Sequence, residues 1–561
     1  MTGADALVRM LALQGVKHIF GLCGDTSLPF YDALYRLKHG MTHVLTRDER
    51  SAAYMADGYA RVSNRVGVCE GPSGGGATYI LPGVAEANES SVPMLCITTD
   101  IPVASRGRFT LTELDQEALF RPVAKSTHVV DRGDRVPLAV REAFRQMTTG
   151  RPGAAHLGLP LDVQRETVDA SALHADPEFA RVPALRIGPH SAAIRAAAAV
   201  LAHSRQPALV VGGGVLISGA SRELRMLAEK LGAVVCTTVS GKGSLADTHP
   251  LVAGVIGSNG GTLPTRTVID SADVVVFIGC RAGSVTTEKW RHPLPGSARV
   301  IHIDVDPGVF GVNYPTDVAI QADAQLALRA LGSELGVRAS WRKRSQAASR
   351  AVAQAKVTKF SEFRRLAGSN TRPITPERIV SDLRAVLDDD AIIVADPGTP
   401  CPYLSAYYEL RRPGRNFLSN RAHGALGYAM SAAIGAHFAR SGARAVAVMG
   451  DGSFGFTCGE LETVVRLKVP LLMLVVSNAT YGWIKAGQKS SFDRRYYSVD
   501  FGRTDHAAVA AAFGVKSWRV SDPAKLRATL AAAVRHDGPV LVDVIAQPLH
   551  QARAPVSEWI V

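Results

Sequence analysis

No apolar run in this chain approaches the length of a membrane span, so nothing in it reads as a transmembrane helix. Cysteine is sparse: Cys23, Cys69, Cys96, Cys236, Cys280, Cys401 and Cys458 are scattered and odd in number. Their spacing fits neither a disulfide framework nor a metal-ligand set, which points to a reducing cytoplasm. The start, Met1-Thr2-Gly3-Ala4-Asp5, lacks the basic opening of a signal peptide, and the expected location is again the cytoplasm. No repeat of roughly 20–50 residues and no low-complexity tract stands out. Nucleic acid is the one partner that the net charge of +13 brings to mind. The basic residues are dispersed, however, and no basic helix or aromatic–basic motif accompanies them. A basic cytoplasmic enzyme that favours anionic ligands is the reading that remains.

What is present is apolar sequence cut by glycine. The chain has 561 residues, 47% hydrophobic and 20% charged. That is globular composition and too much length for one core, so roughly two to four domains are expected. Short apolar runs alternate with helical patterns, which predicts α/β architecture with parallel sheets. Residues 1–165 read as a first domain. It has strands near Val16 to Gly21, His43 to Leu45, Arg65 to Glu70 and Val92 to Thr98, and helices from Ala4 to Gln14, Ser51 to Arg61 and Ala77 to Asn88. Residues 166–188 read as a linker, 189–340 as a central domain, and 341–372 as a helical connection. A third domain covers 374–548, and 549–561 form a tail.

The most informative stretch is in the third domain. An apolar segment, Val446 to Met449, runs into Gly450-Asp451-Gly452-Ser453. A helical pattern from Glu460 to Lys468 follows, and a second apolar run, Leu471 to Val476, ends at Ser477-Asn478. This is a βαβ unit with both loops at the carboxyl ends of its strands, where doubly wound sheets bind ligands. Gly450 and Gly452 allow a sharp turn and close approach of backbone to ligand. The amides of Gly452 and Ser453, near a helix start, can bind phosphate oxygens. Asp451 offers a carboxylate and Asn478 an amide oxygen, both hard ligands of the kind magnesium takes. Read alone, Asp-Gly is an ordinary turn and Asn478 an ordinary strand end.

Taken together, the turn, the helix and the terminal Asn resemble the thiamine diphosphate motif, GDG followed after a helix and a strand by two asparagines. Ser477 replaces the first, and Asn478 keeps the second, the metal ligand in the family. Phe20-Gly21 with Gly24, Asp48-Glu49 with the run Ala52 to Arg61, and Ser91-Val92-Pro93 are similar to the pyrimidine-binding domain of acetohydroxyacid (acetolactate) synthase-like enzymes. The resemblance implies three doubly wound parallel-sheet domains: pyrimidine-binding, central and diphosphate-binding. It implies thiamine diphosphate and Mg2+, the metal held by Asp451, Asn478 and the Thr480 carbonyl with two diphosphate oxygens and a water. Gly398, Thr399, Gly424, Leu426, Gly450, Gly452, Ser453, Tyr481 and Gly482 are expected at the cofactor, with Leu426 propping it into a bent form. Glu49 is expected to activate it by favouring the imino tautomer of the aminopyrimidine. Many members carry His where this chain has Asp48. Gln116 faces substrate or supports a domain contact, and the two readings stand level.

The family's central domain binds FAD, ADP or nothing. Gly212-Gly213-Gly214 is a faint nucleotide signal, and Asp304 is a ribose ligand or a turn carboxylate. Arg281-Ala282-Gly283-Ser284 departs from the Arg-Phe-Asp-Asp-Arg-like stretch of flavin binders. The expected reaction makes or breaks a carbon–carbon bond beside a carbonyl of a 2-oxo acid or 2-hydroxyacyl substrate. Phe454-Gly455-Phe456-Thr457 keeps a 2-hydroxyacyl-CoA lyase or an oxalyl-CoA-type decarboxylase as an alternative. A catalytically silent cofactor-binding relative is the rival of another class, opposed by the intact Glu49, Asp451 and Asn478. After the metal loop, Trp483 and Lys485 line a substrate entrance or lie on a surface helix. A homodimer or homotetramer is expected, each site joining domains of two subunits, with neither nucleic acid nor membrane as partner.

Overall fold

The computed structural model describes residues 1–336 and 340–559. Its framework is three six-stranded parallel sheets. The first contains β1 (His18–Gly21), β2 (Thr42–Leu45), β3 (Gly67–Gly71), β4 (Met94–Asp100), β5 (Ser126–Val129) and β6 (Ala154–Pro160). Their order across the sheet is β2-β1-β3-β4-β6-β5. The second contains β7 (Pro207–Val211), β8 (Val234–Thr237), β9 (Val252–Val255), β10 (Val274–Ile278), β11 (Arg299–Asp304) and β12 (Val318–Gln321), ordered β12-β11-β10-β7-β8-β9. The third contains β13 (Ile392–Ala395), β14 (Phe417–Ser419), β15 (Ala445–Gly450), β16 (Leu472–Ser477), β17 (Lys516–Val520) and β18 (Val540–Ile545). It is ordered β14-β13-β15-β16-β18-β17, the topology of the first sheet repeated. The middle sheet has the order of dinucleotide-binding folds instead.

Central strands such as β10 and β16 are buried at every residue and read as unbroken apolar runs, as strands covered on both faces must. Edge strands β5 and β17 are half exposed. The expected helix from Ala77 to Asn88 is two helices, Gly75–Tyr79 and Leu81–Glu89, broken at Ile80. Pro82 has no amide proton and belongs to the first turn of the second helix, where that proton would go unused.

The chain gathers into two compact units. One comprises Met1–Leu185, Asn420–Ala445 and Ser453–Leu471; the other comprises Arg186–Ser419, Val446–Gly452 and Leu472–Val561. Within the first unit, the helix Glu49–Ser63 packs tightly on the helix Tyr428–Ala439. A Cβ on Gly58 would stand 2.1 Å from the Ala432 carbonyl oxygen, and one on Gly435 would stand 1.9 Å from that of Met55. The contact therefore requires glycine on both helices. A buried ion network lies in the same unit. Arg61 bonds Asp57 at 2.7 Å and Glu86 at 3.1 Å, and the Tyr428 hydroxyl donates to Asp57 at 2.5 Å. Glu86 also accepts the amides of Ala422, His423 and Gly424 at 3.2, 2.7 and 3.4 Å, fixing the loop that leads to Leu426.

Within the second unit, the helix Ser340–Ala367 runs between the central and third sheets in sequence, where a helical connection was expected. The tail folds back. Gly260 donates its amide to the Pro555 carbonyl at 2.8 Å, and Trp483 Nε1 donates to the Trp559 carbonyl at 3.2 Å. Among the described residues no helix is long and apolar enough to cross a membrane.

Candidate active site

In the second unit, the loops after β13, β15 and β16 carry most of the expected cofactor residues. Asp451 opens the short helix Asp451–Thr457 directly after β15. Its Oδ1 accepts the amide of Gly452 at 3.0 Å, and its Oδ2 accepts the amides of Asn478 and Ala479 at 2.7 and 2.6 Å. Burial raises the carboxyl above its ordinary value, while these three amides oppose the rise. The carboxylate thus holds the turn after β16 by its backbone. Ala479 sits in the left-handed region at φ +56°. The Thr480 carbonyl accepts no described amide, since neighbouring amides go elsewhere: Tyr481 donates to Val499 and Phe501 to Ala479, at 2.8 and 3.1 Å.

The decisive atom is Asn478 Oδ1. It is buried and has no hydrogen-bond partner. A buried amide oxygen left unpaired is costly, and such groups mark sites where an ion or water belongs. A carboxylate, an amide oxygen and a carbonyl brought together at this turn are hard oxygen donors, the chemistry Mg2+ takes. The residues fit the metal. Gly452 is required by Tyr481, whose ring carbon would lie 2.7 Å from an added Cβ. Gly450 meets nothing within 4 Å, so the space beside it is open. Thr399 is buried, and its hydroxyl lies 3.4 Å from the Cβ position of Gly482, which brings the loop after β13 to the same place. Gly398 before it has φ +91°.

In the first unit, Glu49 is the first residue of the helix Glu49–Ser63. Asp48, which takes the place of the family's His, caps that helix by accepting the Arg50 amide at 2.8 Å and pairs with the Arg50 side chain. Glu49 is 7% exposed and sits against the Gly71–Gly76 turn, with Oε1 3.1 Å from the Cβ position of Gly76. Burial raises its carboxyl above the ordinary glutamate range. Its own amide opposes the rise, and Asp48 and Glu70 add to it. Glu70, buried in β3, accepts from the Tyr31 hydroxyl, which in turn lies 3.0 Å from His43 Nε2. Leu426 is half-buried on the loop before Tyr428. Ser453 Oγ accepts the Gly427 amide at 2.8 Å, and Gly424 has φ +74°.

Gln116 is 1% exposed, and its amide is spent on β4: Nε2 donates to the Thr99 carbonyl at 2.9 Å and Oε1 accepts from the Thr98 hydroxyl. These bonds fix the Gln116 amide against the end of β4. Trp483 packs on Trp559 with ring centroids 5.1 Å apart. Lys485 pairs with Asp500 at 2.6 Å and lies over the Tyr496 ring. At the central domain, two amides of the glycine triplet are spent within the fold. Gly212 donates its amide to Ile278 at 2.9 Å and Gly214 to Gly279 at 3.1 Å, so neither is left for a phosphate. Asp304 accepts the Asp306 amide at 3.0 Å, as a turn carboxylate does.

Sequence reasoning missed Glu86, Glu70, His506 and Asp543, and read Ser477 only as a replaced motif asparagine. A charge inside an apolar helix or strand was the available signal, at Glu86 between alanines and at Glu70 after Val66 to Cys69.

Three family models match the chain. Residues 1–119 match the thiamine pyrophosphate enzyme N-terminal TPP binding domain. Residues 194–331 match the central domain and 396–544 the C-terminal TPP binding domain. The chain belongs to the thiamine pyrophosphate enzyme family. It is similar along nearly its whole length to large subunits of acetolactate synthase. A probable acetolactate synthase large subunit of Methanococcus aeolicus is 34% identical over 98% of this chain and 92% of that protein. One from Methanocaldococcus jannaschii matches with the same identity and shares. The acetolactate synthase isozyme 1 large subunit of Escherichia coli is 30% identical over 97% of this chain and 93% of that protein. This thiamine pyrophosphate enzyme is acetolactate synthase-like, with thiamine diphosphate as its cofactor.

Proposed function

We propose that the enzyme decarboxylates a 2-oxo acid and joins the remaining acyl carbon to a second carbonyl compound. The names of its relatives support the substrate class. The observation that carries the cofactor site is the unpartnered, buried Asn478 Oδ1 beside the turn held by Asp451. Asp451, Asn478 and the Thr480 carbonyl would hold Mg2+, and through it the diphosphate. Thr399, Gly398 and the amides around Gly452 would border the same group, and Tyr481 would back it. Bound thiamine diphosphate supplies a nucleophilic carbon and an electron sink next to the substrate carbonyl. Glu49 is buried, and its carboxyl, raised by burial, would hydrogen-bond the aminopyrimidine ring and exchange a proton with it. Leu426 is the apolar side chain proposed to support the cofactor's bent form. No redox change is needed, and no step involves the central domain.

The assembly proposed is a homodimer or a pair of dimers, with Glu49 of one copy serving Asp451 of another. Full activity in a species that light scattering shows to be monomeric would contradict it. A substrate screen tests the reaction. Pyruvate with Mg2+ and thiamine diphosphate should release carbon dioxide and give a condensed hydroxy-keto acid. Turnover of 2-hydroxyacyl-CoA or oxalyl-CoA instead, with pyruvate inert, would favour the lyase or decarboxylase alternative.

A further inference from the structure

Behind the proposed metal loop lie three buried polar residues that the reaction leaves unused: Ser477, His506 and Asp543. Ser477 is the last residue of β16, one position before Asn478. Its hydroxyl donates to Asp543 Oδ1 and lies 3.0 Å from His506 Nδ1. A hydroxyl has a single proton, so with that proton on Asp543 the His506 Nδ1 proton points to Ser477 Oγ. The second oxygen of Asp543 accepts the His506 backbone amide at 3.3 Å, with Arg519 Nε at 3.7 Å. Asp543 itself is fully buried in β18.

We infer that Asp543, acting through Ser477 and His506, is the positioning residue that sets the metal-binding turn; this rests on the metal reading above. One carboxylate, fixed in the sheet, ties together the end of β16 and the start of the helix His506–Ala512. The chain between these two anchors carries every proposed ligand of the turn. It also folds back on it: Thr480 Oγ1 and the Tyr481 amide both donate to the Val499 carbonyl, at 2.9 and 2.8 Å. Two carboxylates therefore grip the turn: Asp451 by the amides of Asn478 and Ala479, and Asp543 by the Ser477 side chain just before them and by the His506 amide further along. A left-handed Ala479 persists only where its surroundings over-determine it, and this double grip does so. Ser477, which departs from the motif the chain resembles, has a use here. Its hydroxyl gives one hydrogen bond and takes another, joining a carboxylate to an imidazole.

The test is Mn2+ binding, as a paramagnetic stand-in for Mg2+, to the full chain with thiamine diphosphate, read by the EPR signal of free Mn2+. Thermal melts are run alongside. Ser477→Ala and Asp543→Asn should weaken Mn2+ by about 10–100-fold, the usual cost of removing a partner that orients a metal ligand. Ser477→Thr keeps the hydroxyl and should bind like the parent. A Ser477→Ala protein that melts earlier yet binds Mn2+ like the parent overturns the inference, leaving the trio as ordinary core. If Asp543→Asn fails to fold, the Ala–Thr pair at Ser477 still decides. Parent-like Mn2+ binding by Asp451→Ala would overturn the metal reading itself, which separates the two failures.

Discussion

Asp451 holds the backbone of Asn478, its Oδ2 accepting that residue's amide at 2.7 Å. One side chain just after β15 thereby sets the direction of the next proposed ligand, just after β16. The side-chain oxygen of Asn478 is left buried and unpaired. Electrostatics runs the same way. Burial alone would push the Asp451 carboxyl toward its neutral form, and a divalent cation reverses that preference.

Glu49→Gln should separate binding from activation. The amide keeps the shape but cannot exchange a proton in the same way. Cofactor should bind as in the parent, while hydrogen–deuterium exchange at the thiazolium C2 slows by about 10²–10⁴-fold, the range of a positioned acid–base group. Exchange at the parent rate would remove Glu49 from its assigned role.

Glu86→Gln tests the buried network of the first unit. The substitution leaves Arg61 with one buried anion fewer and weakens the bonds to three loop amides. Breaking a buried pair on one side costs about 3–5 kcal/mol. A denaturant melt should show a loss of that order, and a loss under ~1 kcal/mol would mean the network contributes little.

A pH effect is expected at Glu377, which is buried at the start of the helix Pro376–Val386. Burial pushes its carboxyl from 4.5 up to about 7, with Glu362 adding to the rise. Between these values the unfolded chain has already lost the proton that the folded chain still holds. Stability is therefore fully present below pH ~4.5 and falls until pH ~7. The whole window is worth at most about 3 kcal/mol. Glu377→Gln should raise the melting temperature at pH 8 and give no gain at pH 4. An equal gain at both would contradict the assignment.

Lys485→Ala should have little effect. Its partner Asp500 is exposed, and such pairs contribute about 0–1 kcal/mol. KM should stay near the parent value at low and high ionic strength. A marked rise that fades with salt would restore the entrance reading for this residue.

Much of the fold was legible because buried parallel strands are short apolar runs ending in glycine, as at Val446 to Gly450. Asp451 and Asn478 stood out because each directly follows such an apolar run, on either side of one helical stretch. What was not legible depends on contacts distant in sequence. Trp483 looks free until Trp559 is packed on it, and Lys485 looks free until Asp500 is paired with it. The association of Glu49–Ser63 with Tyr428–Ala439 depends on Gly58 and Gly435, and neither glycine announces its partner. The break at Ile80 was readable from Pro82 but lost in a pattern of small residues. Ser477 looked like a weakened motif, because His506 and Asp543 lie 29 and 66 residues further on.

The most direct test of the account is calorimetric titration of thiamine diphosphate, in Mg2+, into the parent, Asp451→Ala and Asn478→Ala proteins. Asp451→Ala removes a charged ligand and frees two amides of the turn, and affinity should fall by more than about 100-fold. Asn478→Ala removes one neutral ligand, and the loss should be smaller, about 10-fold. Parent-like affinity in both variants would contradict the assignment of residues 450 to 480 as the cofactor's metal site.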